Sequence, residues 1–497
     1  MLNPIKIIPT SLIHKIITHQ MKDYDSFRDN FLNLDPDLVE LLREKYLIYS
    51  FKKNATRIPQ YKEFMKKKKI KLTKIDSIEN FKSLPETNKH NYVYKAKDIS
   101  QLCIDGNYKN INLLVKSSGH SGRQCYWAKS HKENLFGETC LTIAFDEEFS
   151  VHKKKTLIIN GFILGSWVTG INFNEVASKH CPIINVGPKE DEILSVINDI
   201  GKDYQQIIIT GYPPFISDLV SYAEKEKFNW KNYKVFFIGG GEGFSESWRN
   251  YIESKTGALV RSGFGASDIG ILAGMENKDT VFIRRFAEKN SNFKKQLFGE
   301  IDEVPMIFQI PLNLYVYPNK NQELIFTTIL PEAVQPCMNY NLEDKGYIIS
   351  YKNMQAVLKK YKITKKFTLP LPFMCIAGRT KGPIKFYAFF IYPENIEDCI
   401  YKTSIISRTS TGNFRMNVLT NKDFSKTLEI SFELKAGVLN SVSLQKEYTD
   451  NIFNILKNVN QGYAAICQKR GIEAIPKIIL YDFDKYPFKS KIKNIYS

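Results

Sequence analysis

The sequence has no Cys-x-x-Cys pair, no Gly-x-x-x-x-Gly-Lys-Ser/Thr segment and no histidine beyond His180. Each absence removes a class of chemistry. Eight scattered cysteines give neither zinc-ligand spacing nor a disulfide framework, and they suit a reducing cytoplasm. Without a Walker A segment the chain does not read as a P-loop enzyme. Any catalytic histidine has to come from the first part of the chain. The N-terminus shows no apolar stretch followed by a small-residue cleavage site, so no signal peptide is expected. Charge is missing from Thr156–Phe173, a length that approaches the roughly 20 residues of a membrane helix. Its glycines and asparagines break it up, so it predicts a buried strand, a turn and a second apolar segment rather than a span.

What is present reads as a globular chain. At 497 residues it exceeds one ordinary core, and its 43% hydrophobic and 25% charged residues are unremarkable for packed domains. The net charge of +18 comes from dispersed lysines, which favours a solvated surface over a dedicated anion-binding face. The densest run, Lys66–Lys69, lacks interleaved aromatics, and no zinc-finger or RNP-like pattern occurs, so no nucleic-acid partner is expected.

From about residue 110 to 275, short apolar runs (LLVKSSG, KTLIINGF, QIIITGY, KVFFIGGG) alternate with helical patterns, and glycines sit at the run ends. That alternation predicts an α/β parallel sheet with ligands at the carboxyl ends of its strands. Residues 280–370 read as more β-rich. The texture changes after about residue 377: FYAFFI reads as strand, PENIEDCIYKT as helix, LEISFELKAG as strand, about 448–469 as one long helix and PKIILYDF as strand. The expected architecture is a large N-terminal domain over 1–377, with parallel and mixed sheets flanked by helices, and a small α+β domain over 378–497.

Several segments carry chemistry. Ser117-Ser118-Gly119-His120-Ser121-Gly122-Arg123 offers small residues, free backbone N–H groups and one cation to phosphate oxygens. Gly239-Gly240-Gly241-Glu242-Gly243 allows close backbone approach to a flat ligand. It is not the dinucleotide fingerprint, because position 244 is Phe. Phe264-Gly265-Ala266-Ser267-Asp268 joins an aromatic to a carboxylate able to hold Mg²⁺. Pro336–Asp344 ends in a carboxylate that can accept from ribose hydroxyls. Gly378-Arg379-Thr380-Lys381 and the tail Pro487–Lys491 are not diagnostic alone. Taken singly, each has an ordinary reading as turn, cap or solvated surface.

In this order the segments resemble the adenylate-forming superfamily of acyl-CoA synthetases, and within it the phenylacetate–CoA ligase-like branch. The resemblance runs from NATRIPQYKEF and IDSIENFKSLPETNKHNYV through SSGHSGR, GYPPFISDL, GGGEGFSESWR, FGASD, PCMNYNLED and GRTKGPIKFYAFF to the tail. It implies an enzyme that activates a carboxylic acid with ATP and Mg²⁺ as an acyl-adenylate, then passes it to a thiol. Coenzyme A is the default acceptor and an acidic carrier protein the other. AMP transfer to a hydroxyl and a catalytically impaired binding protein are the alternatives. Ser117, Ser118, Gly119, Ser121, Gly122 and Arg123 would hold the β- and γ-phosphates. Gly240, Gly241 and Glu242 would border adenine, with Phe264, Gly265 and Ser267 beside it. Asp268 would stand at the metal position, Asp344 at the ribose, and Arg379 at ribose or phosphate. Lys381 would be the hinge of a mobile small domain, and Lys491 would bridge carboxylate and α-phosphate, with Lys489 and Lys493 as alternatives. Trp167, Tyr212, Pro213, Phe215 and Gly263 would line the acid pocket. Departures from the family pattern are His120 for Thr or Ser, Asp268 for Glu and Asn339 for Arg. A cytoplasmic location is expected, and monomer and homodimer both remain open.

Overall fold

The computed structural model describes residues 7–116, 125–166, 168–241, 243–299, 301, 304–379, 384–387, 389–391, 393–485 and 487–488. These fall into two compact units, one up to Gly378 and one from Arg379 on. The strands of the first are β1 (Leu113–Lys116), β2 (Tyr126–Lys129), β3 (Thr156–Asn160), β4 (Ile183–Asn185), β5 (Gln206–Gly211), β6 (Val235–Gly240), β7 (Leu259–Ala266), β8 (Gly270–Met275), β9 (Met306–Gln309), β10 (Leu314–Pro318), β11 (Glu323–Thr328), β12 (Tyr340–Ile349) and β13 (Phe373–Arg379). Those of the second are β14 (Ile384–Phe386), β15 (Phe389–Ile391), β16 (Ser410–Thr420), β17 (Lys426–Leu434) and β18 (Lys477–Tyr481).

In the first unit one sheet has the order β4-β3-β5-β6-β7-β8, parallel up to β7 and antiparallel between β7 and β8. Every residue of β3, β5 and β6 is buried, as an Ile/Val/Phe-rich strand covered on both faces must be. Helix His131–Phe149 packs Leu141, Phe145 and Phe149 onto Ile158, Ile208 and Phe236 of this sheet. A second sheet has the order β10-β11-β12-β13-β9. Beside it, helices Lys278–Lys289 and Tyr351–Lys360 bury Ile283, Met354 and Leu358 against Ile307, Phe373 and Cys375. The span 280–370 is therefore less purely β than its sequence suggests. Its helix starts are marked by the Asn277 capping box and by Ser350.

Thr156–Phe173 resolves into β3 and the π-helical turn Val168–Asn172. Among the described residues no helix is long and apolar enough to cross a membrane. Near the N-terminus, Ser77 caps the helix Ile78–Lys82, its hydroxyl accepting from Asn80 N at 3.2 Å. Asp76 accepts from the Asn80 side-chain amide at 3.0 Å.

The second unit is α+β. β16 and β17 pair antiparallel and β17 and β18 parallel, and Phe414, Ile430 and Phe432 pack with Tyr448, Ile452 and Tyr463. FYAFFI is not one strand but the hairpin β14–β15, turned at Tyr387 with φ 52°. The expected single helix is two, Val442–Val459 and Gln461–Arg470. Asn460 makes the break: its side chain accepts from Tyr463 N at 2.8 Å and donates to Phe390 O at 2.8 Å. Gly462 follows because any Cβ there would lie 2.4 Å from the Phe389 ring.

Candidate active site

Glycines line up across the carboxyl ends of the parallel strands. Gly211 of β5 pairs with Gly239 of β6, and Gly240 pairs with Gly263 of β7. Here the absence of side chains is a packing requirement. A Cβ on Gly240 would come within 2.9 Å of Phe162, and one on Gly239 within 2.9 Å of Phe244. Gly241 then turns with φ 88°, a conformation that glycine takes at little cost. Phe162 lies against this row, a residue the sequence reading did not single out.

Phe264 on β7 stands opposite Gly274 and is half-buried, its ring 5.8 Å from Phe308 and 6.1 Å from Phe326. Tyr212 is half-buried at the start of helix Pro213–Lys225. Phe215, one turn on, is buried against Gly161 and Gly211, where it packs the strand ends together.

The turn between β7 and β8 carries Asp268, which is only 4% exposed. Its Oδ1 accepts from Tyr340 Oη at 2.7 Å, and its Oδ2 lies 3.3 Å from Lys89 Nζ. Burial, then the Asp268 charge, holds the Tyr340 phenol far above its usual range, so it stays a donor. Cys337 Sγ donates to the Asp268 carbonyl at 2.9 Å, and its thiol is likewise pushed up by burial and by Asp268. Ser267 Oγ donates to Lys116 O at 2.9 Å, at the end of β1 where Ser117 follows. FGASD and PCMNYNLED thus meet at Asp268, beside the strand that leads into SSGHSGR.

Lys89 was missed in the sequence because it sits in an unremarkable polar stretch. Asn339 explains how it arrives. Its backbone takes φ 53°, its Nδ2 donates to Leu84 O at 2.8 Å, and its carbonyl accepts from Thr87 N at 2.9 Å. Tyr317 Oη donates to Asn339 Oδ1. Thr87 bridges to Tyr340, which docks the segment 84–89 along the start of β12. Asn339 is therefore a structural post where an arginine stands in the family pattern. Four residues beyond Tyr340, Asp344 is buried. A bulge lies between the pairings Glu323–Lys345 and Ile325–Asn341, with Glu343 at φ 66°.

Behind the glycine-rich turn lies a buried charge network that sequence reasoning also passed over. Arg249 donates to Glu246 at 2.9 Å, to Glu276 at 2.8 Å and to Val260 O at 2.6 Å. Arg284 reaches Glu246 at 2.9 Å and Phe244 O at 2.8 Å. Burial alone would raise the Glu246 carboxyl, but Arg249, Arg285 and Arg284 outweigh it and hold the group below its usual value. The spacing of Glu246 and Arg249 on one helix face was the available signal.

Ser117, Ser118, Gly119, Ser121, Gly122, Arg123, Trp167, Glu242, Lys381 and Lys491 lie outside the described residues, as do Lys489 and Lys493. Arg379 ends β13, and its side chain also lies outside.

No protein-family model matches the chain, and no curated sequence does. Solved structures do. 2-Hydroxyisobutyryl-CoA ligase, in complex with 2-HIB-AMP and CoA in the thioesterification state, matches with a TM-score of 0.61 over 92% of this chain and 89% of its own, at 12% identity. This chain has the adenylate-forming ligase fold. The same ligase in the postadenylation state with R3-HIB-AMP gives a TM-score of 0.52 over 92% of this chain and 89% of its own, at 12% identity. Its open conformation with 2-HIB-AMP and CoA gives 0.52 over 92% and 91%, at 12% identity. In the adenylate-forming ligase fold of this chain, the glycine row and Asp268 occupy the carboxyl edge of the parallel sheet, where open α/β sheets take their ligands.

Proposed function

We propose that the chain activates a carboxylic acid with ATP as an acyl-adenylate and transfers the acyl group to a thiol, with coenzyme A as acceptor. A carboxylate oxygen attacks the α-phosphorus, the bond to the β-phosphate oxygen breaks, and pyrophosphate leaves. The thiol sulfur then attacks the acyl carbon, AMP departs with the bonding pair, and the thiol proton is lost to solvent. One observation carries this reading: segments far apart in sequence, each resembling a nucleotide-site motif, converge on Asp268 through Tyr340 at 2.7 Å and on Lys116 through Ser267 at 2.9 Å. The fold match and the sequence pattern of the phenylacetate–CoA ligase-like branch support it.

Charge builds on the α-phosphoryl oxygens, so fixed cations lower the barrier most. Asp268 accepts from Tyr340 Oη on one oxygen and has Lys89 Nζ 3.3 Å from the other, so Lys89 already supplies positive charge at the position the resemblance gives to magnesium. No cluster of three metal-ligating side chains occurs among the described residues. No step is therefore routed through a metal at Asp268, and we assign Lys89 as a cation of the site. Asp344 is assigned to the ribose hydroxyls, and Lys491 to the bridge between carboxylate and α-phosphate.

The test is carboxylate-dependent exchange of labelled pyrophosphate into ATP over a broad acid panel, followed by AMP release on adding coenzyme A. Exchange with at least one acid is expected. Bound ATP without exchange for any acid would overturn the reading.

A further inference from the structure

One face of the sheet in the second unit holds down the tail that leads to Lys491. Along β16, Phe414 and Met416 enter the core, so Arg415 between them stands on the opposite face. Ile478 and Leu480 enter the same core from β18, which leaves Tyr481 on the side of Arg415. Strand register gathers these positions: Arg415 pairs with Ser431 of β17, Ser431 with Ile479 of β18, and Glu433 with Tyr481.

The chain leaves β18 at Tyr481 and folds back over this face in two turns. Lys485 N donates to Asp482 O at 3.3 Å and Phe488 N to Lys485 O at 2.7 Å, with Asp484 at φ 55° in the first turn. Each turn has its own fastening. The buried Glu433 carboxylate accepts from Asp484 N at 3.0 Å through one oxygen. Its other oxygen accepts from Thr411 Oγ1 at 2.9 Å and from Asn413 Nδ2 at 2.7 Å. Arg415 fastens the second turn: its Nη2 donates to the Pro487 carbonyl, and its guanidinium lies 5.5 Å over the Phe488 ring. The same ring meets Tyr481 edge to face at 5.8 Å. The carboxylate of this face is thus filled by uncharged donors, and the arginine places its charge on the backbone and ring of the tail. A planar guanidinium held by both a hydrogen bond and an aromatic face keeps one orientation.

We propose that Arg415 is a positioning residue for adenylation: it pins the tail at Pro487 and Phe488 and so sets the point from which Lys491 reaches the carboxylate and α-phosphate. The proposal rests on the adenylation reading above, with Lys491 in the role given there, and adds the residue that acts through it. Lys491 stands three residues beyond Phe488 and seven beyond Asp484. Three residues of chain extend at most about 11 Å, whereas seven extend about 25 Å. With Arg415 in place the lysine starts from the nearer point. Without it the next fastening is Glu433 at Asp484, and the longer tether dilutes the ammonium at its target by roughly fourfold.

The experiment uses the full chain and the acid that gives the fastest pyrophosphate exchange. Arg415→Met, checked for an unchanged fold by circular dichroism, should lower kcat of exchange about fourfold and leave the KM for ATP unaltered. AMP release on mixing coenzyme A with the chemically made adenylate of the same acid should stay at the parent rate. Arg415→Lys keeps a cation over the ring and should lose less. In a Lys491→Ala background Arg415→Met should have no further effect, because a residue that acts through the lysine has nothing left to place. Tryptic cleavage after Lys485, followed by mass spectrometry, should quicken several-fold in Arg415→Met. Unaltered cleavage overturns the proposal, and so does faster cleavage with unaltered exchange, which would show a tail fastened for folding alone; adenylation then still stands. Equal losses in exchange and in AMP release mean general damage to the second unit and overturn it as well. A further loss in the Lys491→Ala background separates Arg415 from that lysine and has the same result. A parent chain that exchanges with no acid overturns the adenylation reading and the positioning role together.

Discussion

Two buried carboxylate sites lie on neighbouring stretches of the chain and are built in opposite ways. Glu246 and Glu276 are clasped by guanidinium groups: Arg249, fully buried, bridges the pair, and Arg284 adds a second anchor to Glu246. Planar guanidinium groups satisfy carboxylates with several fixed hydrogen bonds, so this network locks the Gly-rich turn and the β7–β8 ends in place. Asp268 is treated differently. It has one neutral donor, Tyr340, and one ammonium, Lys89, whose side chain is 27% exposed. A flexible lysine at 3.3 Å holds a carboxylate loosely and can turn toward an incoming anion. Saturated pairing marks the scaffold, and incomplete pairing marks the working site.

The sharpest way to break the comparison is Arg249→Leu. It leaves Glu276 buried without its partner and should cost about 3–5 kcal/mol of stability, read from the denaturant midpoint. A loss under about 1 kcal/mol would show that the network does not carry the turn. Lys89→Met takes the ammonium from the buried Asp268 carboxylate, so it should cost about 1–3 kcal/mol at the midpoint and lower the exchange rate by about tenfold to a hundredfold. Unaltered exchange would return Lys89 to the role of a surface lysine. Asp344→Ala should raise the apparent KM for ATP about tenfold, with kcat less affected, as expected for lost binding contacts. An unchanged ATP dependence would remove its ribose assignment.

The smallest effect is on pH. The Glu246 carboxyl is held below its ordinary value of 4.5, so its stabilisation is complete above that value and is lost as pH falls through the folded-state pKa. The midpoint should drop in that acid range for the parent chain and drop less steeply for Arg249→Leu. Identical slopes would sever Glu246 from the arginines.

Much of the fold was legible. LLVK, TLIIN, QIIITG and VFFIGG are β1, β3, β5 and β6, because unbroken apolar runs ending in glycine or small polar residues have few other solutions. The long helix after Tyr448 misled because Asn460 and Gly462 act through contacts with Phe390 and Phe389, which no local pattern reveals. In the site, motif order singled out Asp268 and its neighbours Phe264 and Ser267. It could not show Lys89, brought in by the Asn339–Thr87 docking, or the arginines behind Glu246, whose partners come from separate helices and strands. Pairings of that kind are a product of tertiary register, and sequence spacing is blind to them.

The hydroxyl of Ser267 ties the Asp268 turn to the strand before Ser117 across 151 positions of sequence. The stretch proposed to bind phosphate begins one residue after Lys116, which accepts that hydrogen bond. Displacing either would tug on the other, so a spectroscopic label placed at one should register a nucleotide arriving at its counterpart.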